Sequence, residues 1–178
     1  FQNVSHESNI AENNEYSIMS TFVDINNDGW QDIVTINNAN YNEIYEADCT
    51  LIMGKDYCGP ASYSHLKNNI LQNQSGIFNF IPQEHSNLKL ELPSLALTVF
   101  DNNSDGLTDV YVANDNRVNT LWVNQGNFQF SEQGLSSGLA VNSLAKTEAS
   151  MGIAIGDINL NGFLDFYLTH MWQETNTL

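Results

Sequence analysis

Three stretches of the sequence carry one arrangement of oxygen donors. They are Asp24-Ile-Asn26-Asn-Asp28-Gly29-Trp30-Gln-Asp32, Asp101-Asn-Asn103-Ser-Asp105-Gly106-Leu107-Thr-Asp109 and Asp157-Ile-Asn159-Leu-Asn161-Gly162-Phe163-Leu-Asp165. All read D-x-N-x-[DN]-G-x-x-D. In a tight loop, side chains at positions 1, 3 and 5 can converge on one point. The backbone carbonyl of position 7 extends the arc, and the acid at position 9 returns a bidentate carboxylate. Glycine at position 6 supplies the positive φ that turns the chain. A set of hard oxygens in a roomy cage suits Ca²⁺ better than Mg²⁺, and without His or Cys in the loops zinc and copper are disfavoured. The expected ligands in the first loop are Asp24, Asn26, Asp28, the Trp30 carbonyl and Asp32. In the second they are Asp101, Asn103, Asp105, the Leu107 carbonyl and Asp109. In the third they are Asp157, Asn159, Asn161, the Phe163 carbonyl and Asp165. Up to three Ca²⁺ sites follow. An EF-hand would instead want an acid at position 12, where this chain has Thr35, Val112 and Leu168.

Charge agrees with that chemistry. The 178 residues hold 21 acids against five Lys and Arg, a formal net charge of −16. Eight of the acids sit in the three loops. Two carboxylates about 4 Å apart repel by roughly 1–4 kcal/mol between water and a protein-surface dielectric, so a cation relieves the closed turn. The third loop has Asn161 where the others have Asp28 and Asp105, and is expected to bind most weakly.

The elements that must position these loops are strands. Each loop follows an apolar run (Phe22-Val23, Leu95 to Phe100, Ile153 to Ile155) and precedes another, beginning Ile33-Val34, Val110-Tyr111 and Phe166-Tyr167. The runs are short, rich in Val, Ile, Tyr and Phe, and bounded by Asn, Asp and Gly, which is strand composition. Several are apolar on successive residues, as in strands covered on both faces. Helical periodicity is weak, with at most a turn of helix within 134–150. The loops start 77 and then 56 residues apart. Phe1, Phe78 and Phe128 mark the copies, Asn119-Thr120-Leu121 matches Asn176-Thr177-Leu178, and Leu66-Lys67-Asn68-Asn69 stands for Leu121-Trp122-Val123-Asn124. The chain therefore reads as all-β, one domain over 1–178, with repeats at 1–77, 78–127 and 128–178 and an insertion at about 41–65. Four-stranded antiparallel sheets recurring at this spacing suggest blades of a β-propeller: a partial propeller of about three blades with Ca²⁺ loops.

Other features narrow the function. Lys55, Lys67, Lys89, Arg117 and Lys146 are scattered, so no polyanion-binding face forms and nucleic acid is a poor partner. No run of about 18 apolar residues exists, so no membrane insertion is expected. The chain starts without Met or a signal peptide and reads as a segment of something longer. Cys49 and Cys58 are a disulfide candidate, a pairing that fits an oxidising compartment; two free thiols are the alternative. His6, His65, His85 and His170 share no spacing and read as surface or loop residues. Trp30, Trp122 and Trp172 read as packing residues rather than a stacking surface, and Arg117 beside Asp115 as a local ion pair. Neither a G-x-S-x-G elbow nor a phosphate-cradling loop occurs, so no catalytic residue is assigned.

The loops and their flanks resemble the calcium loops of FG-GAP/VCBS repeats, the blades of integrin-α-like propellers. One branch resembles the chain more closely: the cartilage acidic protein and ASPIC/UnbV family. The likeness lies at Tyr57-Cys58-Gly59-Pro60, at Asp109 to Ala113 with Asn114-Asp115-Asn116-Arg117, at Met151-Gly152 and at Glu174-Thr175-Asn176-Thr177-Leu178. The resemblance implies an extracellular or periplasmic calcium-binding module for adhesion or protein contact. Such a module has no established catalysis, and its partners are a protein or glycan ligand and the remaining propeller blades. The alternative is the propeller portion of a larger exported enzyme whose catalytic residues lie elsewhere.

Overall fold

The computed structural model describes residues 1–10, 15–40, 49–51, 54–55, 58 and 62–178. Its strands form antiparallel sheets. The first sheet orders β1 (Ser17–Val23), β2 (Asp32–Asn37), β5 (Asn69–Gln74) and β6 (Ile77–Phe80) side by side. The second orders β7 (Ser94–Phe100), β8 (Asp109–Asn114), β9 (Thr120–Asn124) and β10 (Phe130–Glu132) in the same way. The third pairs β11 (Ser150–Gly156) with β12 (Asp165–His170). A small ladder joins β3 (Thr50–Leu51) to β4 (Gly54–Lys55). Most of the expected insertion at 41–65 lies outside the described residues. Among the described residues no sheet closes on itself.

The repeats keep register to the residue. Ile33 pairs with Phe22 and Leu71, and Val110 with Val99 and Trp122, at the same distance past each loop. Among the described residues the third sheet has two strands. An isolated bridge between Leu168 and Thr177 stands where Thr35 meets Asn69 and Val112 meets Thr120. The match of Leu66–Asn69 to Leu121–Asn124 is corrected by the same register. Leu71 is the counterpart of Trp122, so Ile70 corresponds to Leu121 and Asn68 to Asn119. The apolar pattern alone allowed the slip, because the insertion removes any fixed spacing. Phe78 lies in β6, and its counterpart by register is Phe130 in β10 rather than the marker Phe128; each strand is the last of its sheet, so sheet and sequence repeat are offset by one strand. The one described helical turn, α1 (Gln83–Ser86), falls between the first two sheets, and 134–150 folds as turns instead.

Alternation along the strands builds the core. On β8, Val110 and Val112 face the first sheet, packing with Val34, Ile36, Ile70 and Trp122, while Tyr111 faces the third. Tyr111 packs with Leu121, Val123 and Leu168, its ring edge-on to Phe166 at 5.2 Å between centroids. Every residue of β8 is buried, as strands covered on both faces require. Each large side chain so buried contributes about 1.5–3 kcal/mol. Strands β1, β7 and β11 run next to one another where the sheets meet. The linkers add aliphatic plugs: Leu88 between the first two sheets and Leu139 between the last two.

The fold corrects three further readings. His170 is not a surface residue. Its side chain is buried, Nδ1 bonded to the Thr175 carbonyl at 2.9 Å and Nε2 3.6 Å from Glu148. Arg117 makes no ion pair with Asp115 among the described residues; its Nη1 donates to the Asn116 carbonyl at 3.0 Å. Of the tryptophans, Trp122 packs between sheets, whereas Trp30 and Trp172 are exposed. Cys49 and Cys58 are joined as a disulfide, Cα–Cα 5.3 Å.

Candidate functional site

Each acidic loop is the turn between the first and second strands of a sheet, so all three open at the same end of the sheets. Position 1 follows β1, β7 or β11, and position 9 begins β2, β8 or β12. The backbone solution is shared. Position 6 is glycine at φ +89°, +83° and +88° (Gly29, Gly106, Gly162), where L side chains are strained. Position 4 is also left-handed, occupied by Asn27, Ser104 and Leu160 at φ 57–60°.

The side chains fold inward onto loop amides. Asp24 Oδ1 accepts from Asp28 N at 3.0 Å and Oδ2 from Gly29 N at 2.8 Å. Asp101 does the same with Asp105 N (3.2 Å) and Gly106 N (2.9 Å), and Asp157 with Asn161 N (3.0 Å) and Gly162 N (2.7 Å). The position-3 oxygens of Asn26, Asn103 and Asn159 accept from the position-5 amide at 3.1–3.2 Å. The position-5 oxygens of Asp28, Asp105 and Asn161 accept from the amides of Trp30, Leu107 and Phe163, at 2.8 Å in every loop. Positions 1, 3 and 5 are thus brought around one turn.

Position 9 has a second task that spacing does not reveal. Asp32 Oδ2 accepts from Ile25 N at 3.2 Å and Oδ1 from Asn73 N on β5 at 2.8 Å. Asp109 repeats this with Asn102 N and Asn124 N, both at 2.8 Å. Both carboxylates are buried, clamping the loop to the third strand. Burial raises the pKa of each, the nearby loop acids add to the rise, and the amide hydrogen bonds oppose it. Asp165 keeps the bond from its own loop, Ile158 N at 3.0 Å.

The partners Asn73 and Asn124 were missed by sequence reading. Their signal was an Asn two residues past the partner of Ile33 or Val110 on the third strand, visible only once that strand is aligned. A second missed set closes the opposite end of the sheets. Asn68, Asn119 and Asn176 accept the amides of Asn37, Asn114 and His170, the last residues of β2, β8 and β12, at 2.9–3.0 Å.

The donor set can be weighed against a cation. Among the described residues no three His, Cys, Asp or Glu side chains gather as a metal centre. Each loop offers two or three carboxylates, with amide oxygens in the remaining positions. A carboxylate oxygen carries two lone-pair sites, and a single N–H fills one, so the acids at position 1 and Asp28 and Asp105 at position 5 keep acceptor capacity. Hard, flexible oxygen donors of this kind fit Ca²⁺.

Fold and loops define a class of protein: repeated antiparallel sheets, each with an Asx-rich turn between its first two strands. Residues 101–168, running from the second loop through the third and into β12, match the family model of an FG-GAP-like repeat. A search of curated proteins finds no match.

Proposed function

We propose that this chain is a calcium-binding interaction module of an exported β-propeller, similar to the cartilage acidic protein and ASPIC/UnbV branch, with no catalysis of its own. The observation that carries this reading is the threefold recurrence of one loop geometry, in which Asp24, Asp101 and Asp157 each cradle the same two amides. Calcium would be held by the side chains at positions 1, 3, 5 and 9 and the carbonyls of Trp30, Leu107 and Phe163. It would lower the repulsion among clustered acids and stiffen the turns that set the sheet ends. Three ions would change the formal charge from −16 to −10. The Cys49–Cys58 disulfide is consistent with an oxidising, extracellular or periplasmic setting. Exposed loops between sheets would meet a protein or glycan.

The stacking sense supports a propeller. Val99, Val110 and Trp122 pack toward the first sheet, and Ile155 and Phe166 toward the second. Their counterparts on the first sheet, Phe22, Ile33 and Leu71, lie with Phe80 in an open groove, ready for a further blade.

Calorimetric titration of the chelated chain with Ca²⁺, followed by a thermal melt, tests the proposal. Three sites at about 10⁻⁴–10⁻³ M are expected, and at ten times Kd each adds about 1.4 kcal/mol. Asp101→Asn should remove one site and Asn161→Asp should tighten the weakest. Absence of binding heat together with an unchanged Tm would overturn the proposal.

A further inference from the structure

The end of the sheets opposite the acidic loops carries a cavity of about 250 Å³ lined by Tyr16, Ile18, Asn38, Tyr63, Leu95 and Asp115. The topology assembles it from separate elements. Ile18 and Leu95 come from the first strands of two neighbouring sheets, Asn38 follows β2, and Asp115 follows β8. Cys58, tied to Cys49, lies on its wall. The backbone there is pinned: Asp115 N donates to the Pro93 carbonyl at 2.9 Å, and Asn38 Nδ2 to the Ser94 carbonyl at 3.2 Å.

Asp115 is the anomaly in this wall. Its carboxylate is partly buried, yet it accepts no hydrogen bond and joins no ion pair among the described residues. Such a charge costs free energy unless something pairs with it. Arg117 is two residues away but turned to its neighbour's carbonyl. Burial raises the Asp115 pKa and the Glu174 carboxylate adds to the rise, while Arg117 and His65 pull it down. The wall also carries two tyrosine rings and the aliphatic side chains of Ile18 and Leu95, surfaces that take an alkyl stem and the face of a cation.

We infer that this cavity binds a cationic side chain, a lysine or arginine of a protein partner, its head group on the Asp115 carboxylate and its stem between Tyr16 and Tyr63. The net charge of −16 steers such a partner toward the surface. The site is independent of the acidic loops and of calcium.

The test uses the full chain in EDTA, so that the loops play no part. Nα-acetyl-lysine methylamide, its arginine counterpart and the uncharged norleucine counterpart are titrated and followed by amide NMR shifts. Saturable shifts at Leu95, Asn38 and Asp115 are expected with either cation and not with norleucine. Asp115→Asn removes no side-chain hydrogen bond among the described residues and should weaken binding at least tenfold. Arg117→Gln removes the neighbouring competitor and should strengthen it severalfold. Failure of both cations to saturate, equal binding of norleucine, unchanged binding in Asp115→Asn or weakened binding in Arg117→Gln would each overturn the assignment.

Discussion

The side-chain amide of Asn124 donates to the carbonyl of Ile25 at 2.9 Å, 99 residues away in sequence. It therefore ties the first acidic loop to the third strand of the next sheet. The same amide reaches the Thr108 carbonyl at 3.1 Å, and Asn124 Oδ1 accepts from Gly126 N at 2.9 Å. Asn124 and Ile25 are both 0% exposed. A parallel but exposed bond runs from Asn27 Nδ2 to the Gly106 carbonyl at 2.9 Å, between the first and second loops. Neighbouring loops are thus coupled through one buried and one exposed amide.

Asn124→Ala should therefore cost about 3 kcal/mol in urea unfolding, because three hydrogen bonds go and buried groups lose their partners. Asn27→Gly, which removes the exposed bond without adding strain at φ 57°, should cost only about 0.5–1 kcal/mol. Similar losses from the two variants would show that burial does not separate them.

Leu160 occupies the left-handed position 4 of the third loop at φ 59° and is 89% exposed. The first loop has Asn27 there, a residue type that tolerates this conformation. Leu160→Asn should stabilise the chain by about 1 kcal/mol, since the strain is relieved and no packing is lost. A differential scanning melt without calcium isolates the effect; an unchanged or lower Tm would contradict it.

Burial lowers the pKa of His65 below its ordinary 6.5; Arg117 pushes the same way, and Asp115 and Glu91 oppose. Its Nδ1 is buried and meets no hydrogen-bond partner among the described residues. The unfolded chain therefore takes up this proton at a higher pH than the folded one. The stability tied to neutral His65 is complete above pH 6.5 and is lost as pH falls through the lowered folded value. The slope can reach about 1.4 kcal/mol per pH unit. Melts from pH 7.5 down to pH 5 should show a steeper fall for the native chain than for His65→Gln; parallel curves would remove His65 as the cause.

Phe22 is 65% exposed and Phe80 45%, both lining the groove on the free face of the first sheet. The counterpart of Phe22 on the second sheet, Val99, packs against the core between sheets. The 178-residue chain should self-associate in sedimentation velocity through this face, and Phe22→Ser with Phe80→Ser should shift it toward monomer. A native chain that stays monomeric at high concentration would count against the face being adhesive.

The loops were legible in the sequence because their chemistry is local. Asp24, Asn26, Asp28 and Gly29 lie within six residues, and a turn that short is fixed by glycine, Asx side chains and their own amides. The strands were legible for the same reason, since two-sided burial leaves the continuous apolar signature seen in Val110 to Ala113. What only the tertiary structure decided is everything that crosses sheets. The clamp of Asp32 and Asp109 on Asn73 and Asn124, the corrected register of Leu71 with Trp122, the buried His170 and the cavity wall around Asp115 all join segments whose separation varies with loop and insertion length. Spacing along the chain carries no record of those contacts, because they form only when one sheet stacks on the next and excludes water from both.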